Sequence, residues 1–200
     1  MTENKNDIIF SPFEKDDLEQ FIKDNQRSFK YGALEEFGMR ANYINKEGEI
    51  ISRKTIERSI KNKNSETYRI ILDGKKVGGV IIKIDKKKKF GELEILFVNP
   101  EIHSKGIGYK AWNMIEKMHP EIEVWETCTP YFEKRNIHFY VNKCGFHIIE
   151  FCNKFHHGKK DDENDAENEE EDEEDEEDKG EEDESPDEMF ILQIIIKKKD

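Results

Sequence analysis

The residues best suited to chemistry are two glycines at the mouth of a helix, with a cation beside them. Residues 103–108 read His103-Ser104-Lys105-Gly106-Ile107-Gly108. They follow a strand-like run, Leu93 to Val98, that Asn99-Pro100 ends, because proline cannot donate to a strand ladder. Beyond them Ile107, Ala111, Met114, Ile115 and Met118 recur at helical spacing as one apolar stripe. The first amides of such a helix have no partner within it and, together with the helix dipole, favour a phosphate group. Glycine at 106 and 108 removes the β-carbons that would hold a pyrophosphate off the backbone, and Lys105 adds positive charge. Two glycines alone also suit a plain strand-to-helix turn.

A second stretch, Asn136-Ile-His-Phe-Tyr140-Val-Asn-Lys-Cys-Gly145-Phe146, carries Ile137, Tyr140, Val141 and Cys144 as a helical stripe. Gly145 fits a left-handed helix cap, with Phe146 the apolar residue after it.

Together these stretches resemble the GNAT superfamily of N-acetyltransferases over residues 7 to 198. Val98 to Gly108 is similar to the family's acetyl-coenzyme A loop, written Q/R-x-x-G-x-G/A, with His103 where the family has Gln or Arg. Asn136 to Phe146 is similar to its late helix, ending in tyrosine and then Gly-Phe. The resemblance implies acetyl-coenzyme A as co-substrate, with no metal. Its pantetheine arm would lie along Leu96, Phe97 and Val98, a backbone amide near Val98 polarising the thioester. Its phosphates would lie on His103, Ser104, Lys105, Gly106, Ile107, Gly108 and Tyr109, with Asn136 as a further hydrogen-bonding residue. Tyr140 would protonate the leaving thiolate. Glu92, six residues before Val98, and Glu94 are candidates for the base that an ammonium substrate requires. Each has a plainer reading: a solvated strand face for the glutamates, an apolar helix stripe for Tyr140, an exposed amide for Asn136.

The elements that must position these residues are legible in order. Ile8 to Phe10 reads as a first strand, and Leu18, Phe21, Ile22, Asn25 and Phe29 as a helical stripe. Tyr31 to Ile50 has no period, and a second helix starts at Ser52 as N-cap, with Ile51 and Ile56 as its staple. Three strands follow, Tyr68–Leu72, Val77–Ile84 and Phe90–Val98, with Asp73-Gly74 a hairpin turn. On the third, alternation places Leu93, Ile95 and Phe97 on one face and Glu92, Glu94, Leu96 and Val98 on the other. Ile122–Cys128, His147–Asn153 and Met189–Lys198 complete the strands. The expected fold is α/β (α+β), the GNAT fold: a mixed, mostly antiparallel sheet of six to seven strands flanked by about four helices.

Two hundred residues suit this single domain, 1–200, interrupted by an acidic low-complexity insertion at 158–188 within the last hairpin. Residues 161–188 carry a net charge of −20, which leaves +7 on the rest of a chain whose total is −13. So little there is apolar that the insertion is expected to be disordered. A basic body suits a phosphate-rich cofactor. Three cysteines in no framework spacing, no apolar leader and no membrane-length run lead to an expectation of a cytoplasmic protein with reduced thiols. The partner expected is a small-molecule or peptide amine, cationic amines included, with no nucleic acid and no membrane, on a monomer or homodimer. Two other readings are a catalytically silent coenzyme A-binding sensor and a module whose acidic insertion binds basic proteins.

Overall fold

The computed structural model describes residues 7–36, 44–102, 106–156 and 188–196. His103, Ser104, Lys105 and residues 158–187 of the acidic insertion lie outside the described residues. The chain runs β1 (Ile8–Pro12), α1 (Leu18–Lys30), α2 (Arg53–Lys61), β2 (Ser65–Leu72), β3 (Lys75–Asp85), β4 (Phe90–Val98), α3 (Ile107–Met118), β5 (Val124–Pro130), α4 (Lys134–His138), β6 (His147–Cys152) and β7 (Met189–Ile195). Seven strands form one sheet in the order β1-β2-β3-β4-β5-β7-β6. All neighbours are antiparallel except β4 and β5, which α3 connects as a parallel pair. No helix among the described residues is long and apolar enough to cross a membrane.

Helices cover both faces of the sheet. On one, Phe21 and Ile22 of α1 and Ile56 of α2 pack against Ile81, Ile95 and Phe97. On the other, Trp112 and Ile115 of α3 join Tyr140, Cys144 and Phe146 against Val80, Ile82, Leu93, Trp125 and Leu192. Gly79 lets α1 approach the sheet, since a β-carbon there would fall 2.5 Å from the Phe21 ring, and Gly78 lets β4 lie close beside β3, since a β-carbon there would fall 2.2 Å from the Phe97 carbonyl oxygen. The Ser52 cap is observed, its hydroxyl accepting from the Thr55 amide at 3.0 Å. The helical stripe of α3 differs from expectation at one end. Trp112 is buried, while Met118, in the last turn, is 39 % exposed.

The larger correction concerns β4. The register against β3 shifts between Ile81 and Ile82, whose partners are Ile95 and Leu93, so Glu94 is an extra residue, a β-bulge. Beyond a bulge every side chain changes face. Leu93 accordingly packs on the α3 side, whereas Ile95 and Phe97 pack against α1. Leu96 and Val98 turn to the α3 side. Glu92 and Val98, expected on one face, therefore lie on opposite faces.

Sequence patterning also gave no sign of the buried ion network that holds α1 to the sheet. Arg69 of β2, 2 % exposed, grips Asp17 through Nε at 2.6 Å and Nη2 at 3.2 Å. It reaches Asp24 of α1 at 2.9 Å and lies over the Phe21 ring at 4.8 Å. Lys76 of β3 adds a second cation 2.8 Å from Asp17. Burial alone would raise the Asp17 pKa, but Arg69 and Lys76 outweigh it and hold the carboxyl below its ordinary value.

Candidate active site

Parallel pairing between β4 and β5 is confined to Phe90–Glu92 against Val124–Glu126. Both strands continue, β4 to Val98 and β5 to Pro130, but their ladder does not, and the sheet splits there. The Thr127 hydroxyl bridges the root of the split, donating to the Leu93 carbonyl at 2.8 Å. Four elements close around the opening, giving a cleft of about 190 Å³. Leu96, Phe97 and Val98 form one wall, and Gly106, Ile107 and Gly108 form a second at the start of α3. Asn136, Phe139 and Tyr140 form a third, while Ser28, Phe29 and Gly32 reach in from the end of α1.

The start of α3 is open to a ligand because of how its residues fold. Gly106 is the N-cap, in the left-handed region at φ 71°, where a side chain would be strained. The amides of Ile107, Gly108 and Tyr109 then lie in the first turn, without intrahelical partners. Gly108 has a packing reason as well: its β-carbon would touch the Phe139 ring at 3.4 Å.

Tyr140 lies where α4 changes to a π-helical turn, Phe139–Cys144, closed by Gly145 at φ 84°. Tyr140 and Cys144 are both buried along this wider turn, 7 % and 8 % exposed, and Tyr140 lines the cleft. Burial pushes the Tyr140 hydroxyl well above the ordinary phenol value, although a hydrogen bond with Thr127 works against the rise. Burial thus keeps a protonated phenol at the cleft, beside a Thr127 side chain anchored on the Leu93 carbonyl. Burial also raises the Cys144 thiol, to about 12, which makes it a packing residue and not a nucleophile.

Of the residues proposed from sequence, Leu96, Phe97, Val98, Gly106, Ile107, Gly108, Asn136 and Tyr140 line this one cleft. Tyr109 is 46 % exposed and outside it. Glu92 is half-buried at the closed end of the strand pair, and Glu94 occupies the bulge; neither is among the described residues lining the cleft. Sequence reasoning did not single out Ser28, Gly32, Glu133 or Arg135, which do line it. A lone glutamate ahead of a short helix carries no pattern by which to find it.

The family model for the acetyltransferase (GNAT) family matches residues 19–146, from α1 through Phe146. The chain belongs to the GNAT family of acetyltransferases. Within the family it is 40 % identical over 169 residues to the uncharacterized protein YrkN of Bacillus subtilis (strain 168), covering 81 % of this chain and 89 % of that protein. Solved structures share the fold at lower identity. The PaiA N-acetyltransferase of Thermoplasma acidophilum, in complex with coenzyme A, aligns at TM-score 0.60 with 18 % identity, over 95 % of this chain and 99 % of that one. The spermidine N-acetyltransferase of Vibrio cholerae, with coenzyme A and spermine, gives 0.59 and 12 % over 94 % and 95 %. The ribosomal-protein-S18-alanine N-acetyltransferase of Escherichia coli gives 0.61 and 13 % over 97 % of each chain.

Proposed function

We propose that this GNAT protein transfers an acetyl group from acetyl-coenzyme A to a primary amine of a small molecule or peptide. The observation that carries the reading is the split between β4 and β5, with helix amides at one side and a buried, protonated tyrosine at another. The residues fit the coenzyme. An extended arm would add to β4 along Leu96, Phe97 and Val98, as a strand adds to a sheet edge. The first amides of α3 would take its phosphates, and Asn136 would add a polar contact. Family relatives solved with coenzyme A or acetyl-coenzyme A support this.

The coenzyme supplies an activated acetyl thioester; the protein's residues supply position and proton control. β4 and α3 fix the donor between them, so that attack is effectively intramolecular. Tyr140 holds a proton at its hydroxyl, available to the sulfur as it leaves. Thr127, anchored on the Leu93 carbonyl, lies beside that hydroxyl.

Release of free coenzyme A tests the proposal. The purified protein is mixed with acetyl-coenzyme A and a panel of polyamines, alkylamines and Lys-rich peptides, and thiol is followed with a dye. Amine-dependent release supports transfer. Coenzyme A binding with no release for any amine supports the silent sensor instead.

A further inference from the structure

We propose that Glu133 is the group that receives the acceptor's ammonium and takes the proton that must leave before attack. This rests on the acetyl-transfer reading above. Glu133 is 5 % exposed and lines the cleft together with Tyr140 and Asn136. It occupies the N-cap position of α4, where a carboxylate would ordinarily accept an amide of the first turn, yet its side chain makes no such bond. Its backbone holds the place instead: the Glu133 amide donates to the Pro130 carbonyl at 3.0 Å, and its own carbonyl accepts from Ile137 at 2.9 Å. The carboxylate faces the turn that follows α1. Both its oxygens lie 3.7 Å from where a β-carbon on Gly32 would stand.

That places it at the meeting of two walls. On one side are Tyr140 and the start of α3; on the other is the end of α1, with Ser28 and Phe29. The carboxylate is close enough for its charge to act on the Tyr140 hydroxyl. Among aromatic walls of Phe29, Phe97 and Phe139, a buried carboxylate selects a cation, and a primary ammonium is the acceptor a transferase of this kind must deprotonate.

An aliphatic amine has a pKa of about 10 and arrives without a lone pair. The Glu133 carboxylate takes one proton and becomes the carboxylic acid, leaving a neutral amine. The C–N bond to the acetyl carbon forms as the C–S bond breaks. Tyr140 gives its proton to the leaving sulfur, the nitrogen passes its surplus proton to water, Tyr140 regains one from water, and Glu133 returns its own to water. One proton is released per acetyl group transferred.

The test measures thiol release from acetyl-coenzyme A with spermidine and with a tetralysine peptide, from pH 7 to pH 10, for the wild type and Glu133→Gln. At pH 7 the variant should lose about 10² or more in kcat/KM, with coenzyme A affinity unchanged within a few-fold. As pH rises its activity should recover about tenfold per unit, because free amine replaces the missing base, while the wild type changes much less. Gly32→Val, whose side chain would cover the carboxylate, should raise the amine KM and leave coenzyme A affinity alone. Wild-type activity in Glu133→Gln at pH 7 overturns the assignment. So does a loss that alkaline pH does not relieve, accompanied by equal loss of coenzyme A affinity. If the wild type binds coenzyme A yet no amine releases thiol, it is the transfer reading that fails.

Discussion

At the scale of single residues, Tyr140 and its partner bear most of the argument. Tyr140→Phe keeps the packing against Phe139 and Phe146 and removes only the hydroxyl. Turnover should fall by about 10² to 10⁴ while coenzyme A affinity holds within a few-fold; unchanged turnover would make the hydroxyl structural. Thr127→Val takes the hydroxyl donor from the Leu93 carbonyl and should lower stability by about 1–3 kcal/mol in denaturant titration. Because burial raises the folded Tyr140 pKa above its unfolded value of 10.0, its neutral form is retained on folding. The group's contribution is therefore fully present below pH 10 and is lost as pH climbs beyond it, which alkaline unfolding of the wild type against Tyr140→Phe would show. Gly106 is a different case. A valine there is strained by about 1–2 kcal/mol whatever the cleft holds, so lost coenzyme affinity must be read beside a melting curve.

At the scale of elements, much of the order was legible and two departures from regularity were not. Hydrophobic period placed α1, α2, α3 and the three strands of the meander to within a few residues, because each buries one face and its sequence alternates accordingly. The Gly106–Gly108 turn and the Gly145-Phe146 cap were readable because they depend on residue type alone. The bulge at Glu94 was not, since an extra residue inside an apolar run leaves the alternation looking intact while reversing every face beyond it. The π-helical turn that seats Tyr140 was hidden for the same reason: one more residue per turn still yields a plausible helical stripe. The Arg69 network was invisible because its charges stand far apart in sequence. Arg69→Met leaves Asp17 and Asp24 facing the core and should cost about 3–5 kcal/mol. Asp17, whose folded pKa is lowered from 3.8, stabilises the fold above that value. Its contribution should disappear as pH falls through the folded pKa, so the stability gap between the wild type and Asp17→Asn, full at neutral pH, should narrow in acid, as denaturant titrations at several pH values would show.

At the scale of the whole molecule, charge and topology meet beside the cleft. The −20 segment joins the ends of β6 and β7, and β7 begins where Met189 pairs with Pro130. The Tyr131 amide donates to the Glu188 carbonyl at 3.1 Å, two residues before Glu133. A polyanion tethered there should concentrate cationic acceptors at low salt, over a range of roughly 8 Å at physiological ionic strength. Removing Gly158 to Pro186 should then raise the KM for spermidine at low salt, with the difference shrinking as salt rises. Equal KM values at low salt would leave that segment without a part in substrate capture. The claim on which everything else depends is that the β4–β5 split receives the coenzyme, and amide hydrogen exchange resolved by residue tests it most directly. Adding acetyl-coenzyme A should slow exchange at Leu96 and Phe97 on β4 and at Ile107, Gly108 and Tyr109 on α3, leaving β1 and β2 unchanged. Binding that protects other amides and none of these five would contradict the account.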